Sequence, residues 1–492
     1  MLAIGTRNLT ISANKETYYL VIDQGGHATR AIVFDESGDV VCGVESAIKT
    51  MTPDALKVEH QPDDLMRSIY SVIDQVSQIL GDDYQRINRA GLATQRSSIV
   101  CWNKKTGEPL SPIISWQDRR TNKSISQYDE HAQYIHDVTG LYLNPHYGST
   151  KMRWCFDNLP EVKKEYRAGN LCVAPMASYI LFHLLENKPF VIDPANASRS
   201  LLMNYKTLAW QPELLDIFSI SEAVLPKIVW TKYEYGNIKR HGHIIPLTIC
   251  TGDQSAAVFS GGRLLFDEVF VNAGTGAFIL KPNEEVPDLK TEKILASVVY
   301  ADEKTQSYVT EGTVNGAGCA LQWLSGQSKI DNYEAHLDEW CEQFREPPVF
   351  INAISGIGSP YWVADFQSYF SREADDEEKF VAVLESIIFL ISENIISIQN
   401  VSSEIKQIRL AGGISKSKAF CQKMANLLKI KVVLDEETEA TAKGVFYLLK
   451  KTEVGKNKEN NRGFSVVFHP KNDQMLHNRY ESWKKVMTQC FT

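Results

Sequence analysis

Two stretches of this chain repeat one pattern: an apolar strand, a turn rich in glycine, and a second apolar strand running back. The first comprises Tyr18 to Ile22, the turn Asp23-Gln24-Gly25-Gly26, and Arg30 to Phe34. The second comprises Glu268 to Asn272, the turn Ala273-Gly274-Thr275-Gly276, and Ala277 to Leu280. β-Branched and aromatic residues favour extended backbone, and the glycines mark the turns. A supersecondary unit duplicated so far apart implies two related domains, and 492 residues exceed what one hydrophobic core accommodates. A glycine turn bares its N–H groups and admits a phosphate where a Cβ would block it. One such turn alone is weak evidence, because hairpins use glycine for local reasons. Two that face each other could grip a polyphosphate from both sides.

The intervening segments read as strands alternating with helices. Glu36-Ser37-Gly38-Asp39 turns the chain into a third strand, Val40 to Val44. Leu65, Ile69, Val72, Val76 and Ile79 recur at helical spacing behind a start signal at Pro62-Asp63-Asp64. Ile87 to Thr94 is the next strand and leads into Gln95-Arg96-Ser97-Ser98. From about Trp116 to Arg240 the chain is more helical and polar, which reads as an insertion shaping one wall of a cleft. An apolar run then ends at Thr251-Gly252, and Asp253 opens a small-residue helix, Ser255 to Phe259. Late in the chain Ile408 to Leu410 runs into Ala411-Gly412-Gly413, and a helix follows from about Lys418. This order predicts an α/β fold.

Asp253 is the residue with most chemical consequence. A carboxylate at the carboxyl end of a strand projects into the crevice where open α/β sheets bind ligands, and there it can take a proton from a hydroxyl. It could equally cap the helix that follows. Asp23 could hold Mg²⁺ through water or merely shape its turn. Arg30 could meet a phosphate or pair with an acid.

Composition narrows the partners. With 52 basic and 60 acidic residues the net charge is −8, and the basic residues form no long run, which argues against nucleic acid or an anionic membrane. Nine scattered cysteines without a CxxC pair suggest free thiols in a reducing, cytoplasmic setting rather than disulfides or structural zinc. Residues 1–16 lack the sustained apolar segment of a secretory leader. Phe380 to Ile398 is apolar but interrupted by Glu385, Glu393 and Asn394, which fits a buried helix better than a membrane span.

Taken together, VIDQGG…TRAIVFD, GLATQRSSIVCWNKKTGEPLSPIISWQDRRT, DPANASR, TGDQSAA, NAGTGAF, EGTVNGAGCALQWL, SGIGSPYW, AGGISKSKAF and TEATAKGVFYLL occur in an order that resembles the FGGY family of carbohydrate kinases. This family lies in the actin-like ATPase superfamily, and the resemblance is greatest to its glycerol kinase branch. It implies two actin-like (ribonuclease H-like) domains, 1–260 and 261–492, each with a mixed central sheet and flanking helices, and a cleft between them. It further implies transfer of the γ-phosphoryl group of Mg²⁺-ATP to a hydroxyl of a small sugar or polyol, by an enzyme that is a homodimer or homotetramer. By the same resemblance Asp253 is the base, Asp23 organises Mg²⁺, and Arg30 lies near the transferring phosphoryl group. Gly25, Gly26, His27, Gly274 and Thr275 would meet phosphates. Gly318, Gln322, Gly412, Gly413 and Ser417 would line the nucleotide pocket. Gln95, Arg96, Ser97, Trp116, His146, Asp253 and Gln254 would surround the acceptor.

Several positions depart from the branch. Its first loop reads Asp-Gln-Gly-Thr-Thr-Ser, whereas this chain has Asp23-Gln24-Gly25-Gly26-His27-Ala28, so three hydroxyls are missing. Ser97 replaces an acid that grips glycerol hydroxyls, His146 replaces a tyrosine, and Ser417 replaces an asparagine. A site built to hydrogen-bond particular hydroxyls discriminates strongly when a partner changes. These changes argue against glycerol as the best acceptor and leave another polyol or a ketose such as a pentulose. The alternative is a degenerate kinase that senses nucleotide or sugar with little transfer. A filament or chaperone ATPase would fit the fold but not Gln95-Arg96 or Trp116-Gln117-Asp118-Arg119-Arg120.

Overall fold

In a computed structural model of the chain, the described residues are 17–289, 292–363, 365–435, 439–450 and 464–491. The leader question at residues 1–16, and Thr438 of the TEATAKG stretch, lie outside them. The described residues form two compact units. One holds those up to Leu264 with Ser297–Ser307 and 439–450, and the other holds the rest.

The first unit is built on a six-stranded sheet in the order Lys232–Arg240, His243–Gly252, Ile87–Thr94, Tyr18–Gln24, Ala28–Phe34, Val40–Ala47. The three middle strands (His243–Gly252, Ile87–Thr94, Tyr18–Gln24) are parallel, and the outer ones pair antiparallel. Leu20, Val21, Ile22, Leu92 and Ile249 have no solvent exposure, the burial expected of strands covered on both faces. Pro62–Leu80 is the predicted helix. Pro62 sits at its start, where a missing N–H costs nothing, and Leu65, Ile69, Val72 and Val76 turn inward. The helix Ala440–Lys450 also belongs here. A Cβ on Gly91 would lie 2.4 Å from Val445 Cγ1, so glycine in the strand lets this helix pack directly on the sheet. The 116–240 region adds helices such as Gly148–Asn158 and Met176–Leu184. It also adds strands, including Leu171–Pro175, the edge of a smaller sheet with Ile99–Asn103.

In the second unit consecutive strands run Gln306–Val314, Ala277–Asn283, Glu268–Ala273, Gln407–Ala411, Lys431–Asp435, Phe464–Phe468. Its central triplet repeats that of the first unit. Glu268–Ala273 pairs antiparallel with the strand after its turn and parallel with Gln407–Ala411. The duplicated pattern in the sequence is therefore a duplicated topology. The helix Asp376–Val401 has a membrane-length apolar window, but 89% of that window is buried inside the protein. Glu385 is paired there with Lys423 and Arg479, which offsets part of the cost of burying its charge. It is a core helix. All nine cysteines are free thiols.

Candidate active site

Strand register creates the site in the first unit. Gln24 lies opposite Thr94, and Thr94 lies opposite Gly252, so the three parallel strands stop in step. The residues that follow (Gly25, Gln95 and Asp253) leave the sheet together at its carboxyl edge, the edge where open α/β sheets bind ligands. Gly252, not Asp253, takes the N-cap position of the helix Asp253–Ala257. Among the described residues the Asp253 carboxylate accepts a hydrogen bond from its immediate neighbour, the Gln254 N–H at 2.7 Å, and not from an N–H two or three residues on as a cap would. The capping alternative for Asp253 is thereby corrected. Arg96 Nε stands 3.8 Å from Asp253 Oδ1. A Cβ on Gly252 would lie 2.5 Å from Arg96 Cδ, so glycine is needed for the arginine to lie across the strand end.

About a quarter (26%) of the Asp253 side chain reaches solvent, and burial of the rest raises its pKa. The charge of Asp23 pushes in the same direction. Arg96, the Gln254 N–H and Arg199 oppose it without cancelling it. A carboxylate with raised pKa holds an abstracted proton more firmly than a free one, which suits a general base.

Asp23 and Arg30 are direct partners across the first hairpin. Arg30 Nη2 donates to Asp23 Oδ2 at 2.6 Å, and Arg30 Nη1 donates to Glu439 Oε2 at 2.5 Å. Two carboxylates thus fix the guanidinium plane. Asp23 is 4% exposed, and burial raises its pKa against the pull of Arg30. Among the described residues no three His, Cys, Asp or Glu side chains cluster as a metal cage. Mg²⁺ does not require one, since it is ordinarily held by one or two carboxylates, phosphate oxygens and retained waters. Asp23, buried at the strand end, fits that mode. In the altered loop the Gly25 N–H closes the turn on Ala28 O at 2.9 Å, Gly26 is partly exposed, and His27 is exposed.

The predicted acceptor residues gather beside this edge. Gln95 is a brace: its amide donates to Gly25 O at 3.3 Å, and its carbonyl accepts from Ser98 Oγ at 3.2 Å. Ser98 Oγ in turn receives the Trp116 N–H at 3.0 Å. The Trp116 and His146 rings lie 5.4 Å apart. Ser97 adopts a left-handed backbone (φ 65°) with 1% exposure, and its Oγ has no hydrogen-bond partner among the described residues. Behind them lies Lys151, fully buried, which sequence reasoning missed. Its Nζ donates to Ser115 O and His146 O at 2.8 Å and more weakly to Ser97 O at 3.4 Å, stapling three segments. Burial and neighbouring arginines push the Lys151 and His146 pKa values well down.

Arg199 and Glu439 were missed as well. Both lie inside the motifs DPANASR and TEATAKG, but only the fold brings Glu439 to Arg30, 409 positions away, and Arg199 to Ser297, 98 positions away. The buried Asp193 caps Pro194–Ala197, accepting the Asn196 N–H at 3.1 Å and its amide at 2.8 Å. Burial holds its pKa up at about 6.

The second unit offers backbone where the first offers charge. Asn272 lies opposite Ala411, so Gly274 and Gly412 follow at one edge. Gly412 has φ +96°, and a Cβ there would lie 2.4 Å from Ala273 O, so the two turns touch backbone to backbone. Thr275 and Gly413 are exposed, as is Gln322 on the helix Gly318–Ser328. The Gly318 N–H is spent on Gly274 O at 2.9 Å, which ties the helix start to the glycine turn. Ser417 caps the helix Lys418–Leu428: its Oγ accepts the Phe420 N–H at 3.1 Å and donates to Asp338 Oδ1 at 2.6 Å. Its hydroxyl is therefore engaged in both directions inside the unit. A cavity of about 460 Å³ near Glu385, Lys423 and Arg479 lies among groups already paired with one another.

Comparison with known proteins now decides the family. Residues 18–260 match the N-terminal domain, and residues 269–449 the C-terminal domain, of the FGGY family of carbohydrate kinases. The chain belongs to the FGGY family of carbohydrate kinases. As an FGGY kinase it is an ATP-dependent phosphotransferase with an alcohol group as acceptor. It is similar to glycerol kinase of Borrelia garinii subsp. bavariensis, 33% identical over 446 residues that cover 88% of each chain. A glycerol kinase of Mycoplasmoides gallisepticum is 29% identical and covers 88% of this FGGY kinase and 89% of its own length. Among solved structures, Plasmodium falciparum glycerol kinase with ADP superposes with a TM-score of 0.87 at 25% identity, covering 97% and 98% of the two chains. A xylulose kinase from Lactobacillus acidophilus shares the fold, with a TM-score of 0.83 at 20% identity and coverage of 96% and 98%.

Proposed function

We propose that this FGGY kinase transfers the γ-phosphoryl group of Mg²⁺-ATP to a hydroxyl of a small sugar or polyol, with Asp253 as the general base. The observation that carries this reading is the shared carboxyl edge, where a carboxylate of raised pKa stands beside Arg96 and near the Asp23–Arg30 pair. The acceptor hydroxyl gives its proton to Asp253 as its oxygen bonds to the γ-phosphorus, and the bond to the β-phosphate oxygen breaks to release ADP. Asp23 would hold Mg²⁺, and the ion would supply neutralisation of phosphate charge. Arg30, held in orientation by Asp23 and Glu439, meets the transferring group. In phosphoryl transfer, positioning and charge neutralisation supply most of the rate.

The turns at Gly25-Gly26 and Gly274-Thr275 meet the phosphates, and Gly412-Gly413 borders the nucleotide. Gln95 acts here by bracing the first loop, and Ser417 by capping its helix. Arg96, Trp116, His146 and Gln254 contact the acceptor. Scattered free thiols fit a cytoplasmic enzyme. The test is ADP release by the purified protein with Mg²⁺-ATP across polyols, ketopentoses and ketohexoses. One or more acceptors should accelerate release, and Asp253→Asn should lose the acceleration. Silence with every acceptor while ATP still binds would favour a sensor instead.

A further inference from the structure

Lys151 stands where stability alone would not put a lysine. It is fully buried, forms no ion pair among the described residues, and lies in the first turn of the helix Gly148–Asn158. Asp118 is the carboxylate whose charge it feels, but Arg120 takes both oxygens, from Nε at 2.9 Å and from Nη2 at 2.8 Å. A buried ammonium without a carboxylate costs free energy. The positive end of the helix dipole adds to that cost, and Tyr147 at the N-cap position supplies no side-chain acceptor to offset it. Conflicts of this kind between local preference and structure concentrate at functional sites.

What the ammonium does there is specific. It has three N–H donors and no acceptor, and it meets three carbonyls, those of Ser115, His146 and Ser97. They lie 36, 5 and 54 positions away along the chain, in three separate segments. Each carbonyl belongs to a residue assigned to the acceptor or, for Ser115, to the neighbour of one, Trp116. Ser97 keeps a left-handed backbone, which a residue other than glycine holds only where its surroundings enforce it. The Trp116 N–H bond to Ser98 Oγ joins the same two segments a second time. Resting on the kinase reading above, we propose that Lys151 is a positioning residue that sets acceptor affinity: one ammonium holds Ser97, Trp116 and His146 at fixed mutual spacing without touching the substrate. It acts through backbone carbonyls and makes no bond to Asp253, so its loss falls on acceptor binding and leaves proton transfer in place. A shift of about 1 Å in such supports is enough to weaken a site.

The test measures ADP release by the parent, Lys151→Met, Lys151→Arg and Thr150→Val with glycerol, xylitol, xylulose, fructose and gluconate, at a temperature where circular dichroism shows each variant folded. With the best of these acceptors, Lys151→Met should raise the acceptor KM at least tenfold, lower kcat less than threefold and leave the KM for ATP within twofold. Lys151→Arg keeps the charge but spreads its donors in a plane, so it should raise the acceptor KM by a smaller factor, threefold or more. If Lys151→Met does not fold, Lys151→Arg decides by the same comparison. Thr150→Val is the structural control. It breaks the buried bond of 2.9 Å between Thr150 Oγ1 and Thr121 Oγ1 in the same helix turn and touches none of the three carbonyls. It should lower the unfolding midpoint and leave the acceptor KM within twofold. An acceptor KM less than threefold above the parent in the Lys151 variants would overturn the inference and leave the kinase reading standing. A rise in Thr150→Val as large as that in Lys151→Met would do the same, because any loosening of the helix start would then suffice. Silence of the parent with every acceptor while ATP still binds would overturn both.

Discussion

The two units present the same edge with opposite chemistry. In each, a strand, a glycine turn and a returning strand sit beside a parallel neighbour that stops in step with the first. In the first unit the edge carries Asp23, Arg30, Arg96 and Asp253. In the second it carries Gly274, Thr275, Gly412 and Gly413, with carbonyls and N–H groups tied to each other. Topology therefore decides where a site forms, and the residues placed there decide what it does. One edge gathers ionisable side chains. The other is built for close backbone approach.

The contrast is open to attack, and the largest effect belongs to the charged edge. Asp253→Asn should lower kcat by about 10³-fold or more and change ATP affinity less than about twofold, because base catalysis is worth 10²–10⁴ and the phosphate contacts lie elsewhere. Isothermal titration beside steady-state kinetics would check this, and a comparable loss of nucleotide affinity would break the contrast. Lys151→Met strips a donor from three buried carbonyls and should cost about 3 kcal/mol in chemical denaturation. An unchanged midpoint would mean that water replaces the ammonium and the recess is not braced as described.

The backbone edge should respond to a single methyl. Gly412→Ala must accommodate a Cβ 2.4 Å from Ala273 O at positive φ, at a cost of about 2 kcal/mol. Gly26→Ala meets nothing within 4 Å and should stay within about 0.5 kcal/mol of the parent. Equal losses in thermal unfolding would erase the distinction between the two turns. A smaller catalytic effect is expected at Glu439→Gln, which keeps the shape but loosens one arm of the Arg30 clamp. A fall in kcat/KM of about tenfold, with little change in melting temperature, would mark Glu439 as a positioning residue.

Much of this was legible in the sequence because strands and glycine turns are local signals. Ile87 to Thr94 and the helix start at Lys418 agree with the structure to the residue, and the duplicated hairpins became duplicated topology. Asp23, Arg30 and Asp253 stood out because each adjoins such a turn or a strand end. Glu439, Arg199 and Lys151 did not, since their roles come from contacts across long sequence separations, and a lone buried lysine resembles any surface lysine until the fold is known. Whether Asp253 caps its helix was undecidable from sequence, because cap and base share one residue type and one position relative to the strand. Hydrogen-bond geometry removes the cap, and the base remains the proposal made above.

The central claim is that Asp253, its pKa raised by burial, receives the acceptor proton. The most direct measurement is the pH dependence of kcat/KM for the best acceptor. A base must be ionised to act, so activity should fall as pH drops through the pKa of Asp253, and that acid limb should lie above the range of an ordinary carboxylate. The limb should vanish from the residual activity of Asp253→Asn. An acid limb of the same position in both proteins would contradict the assignment and move the base elsewhere.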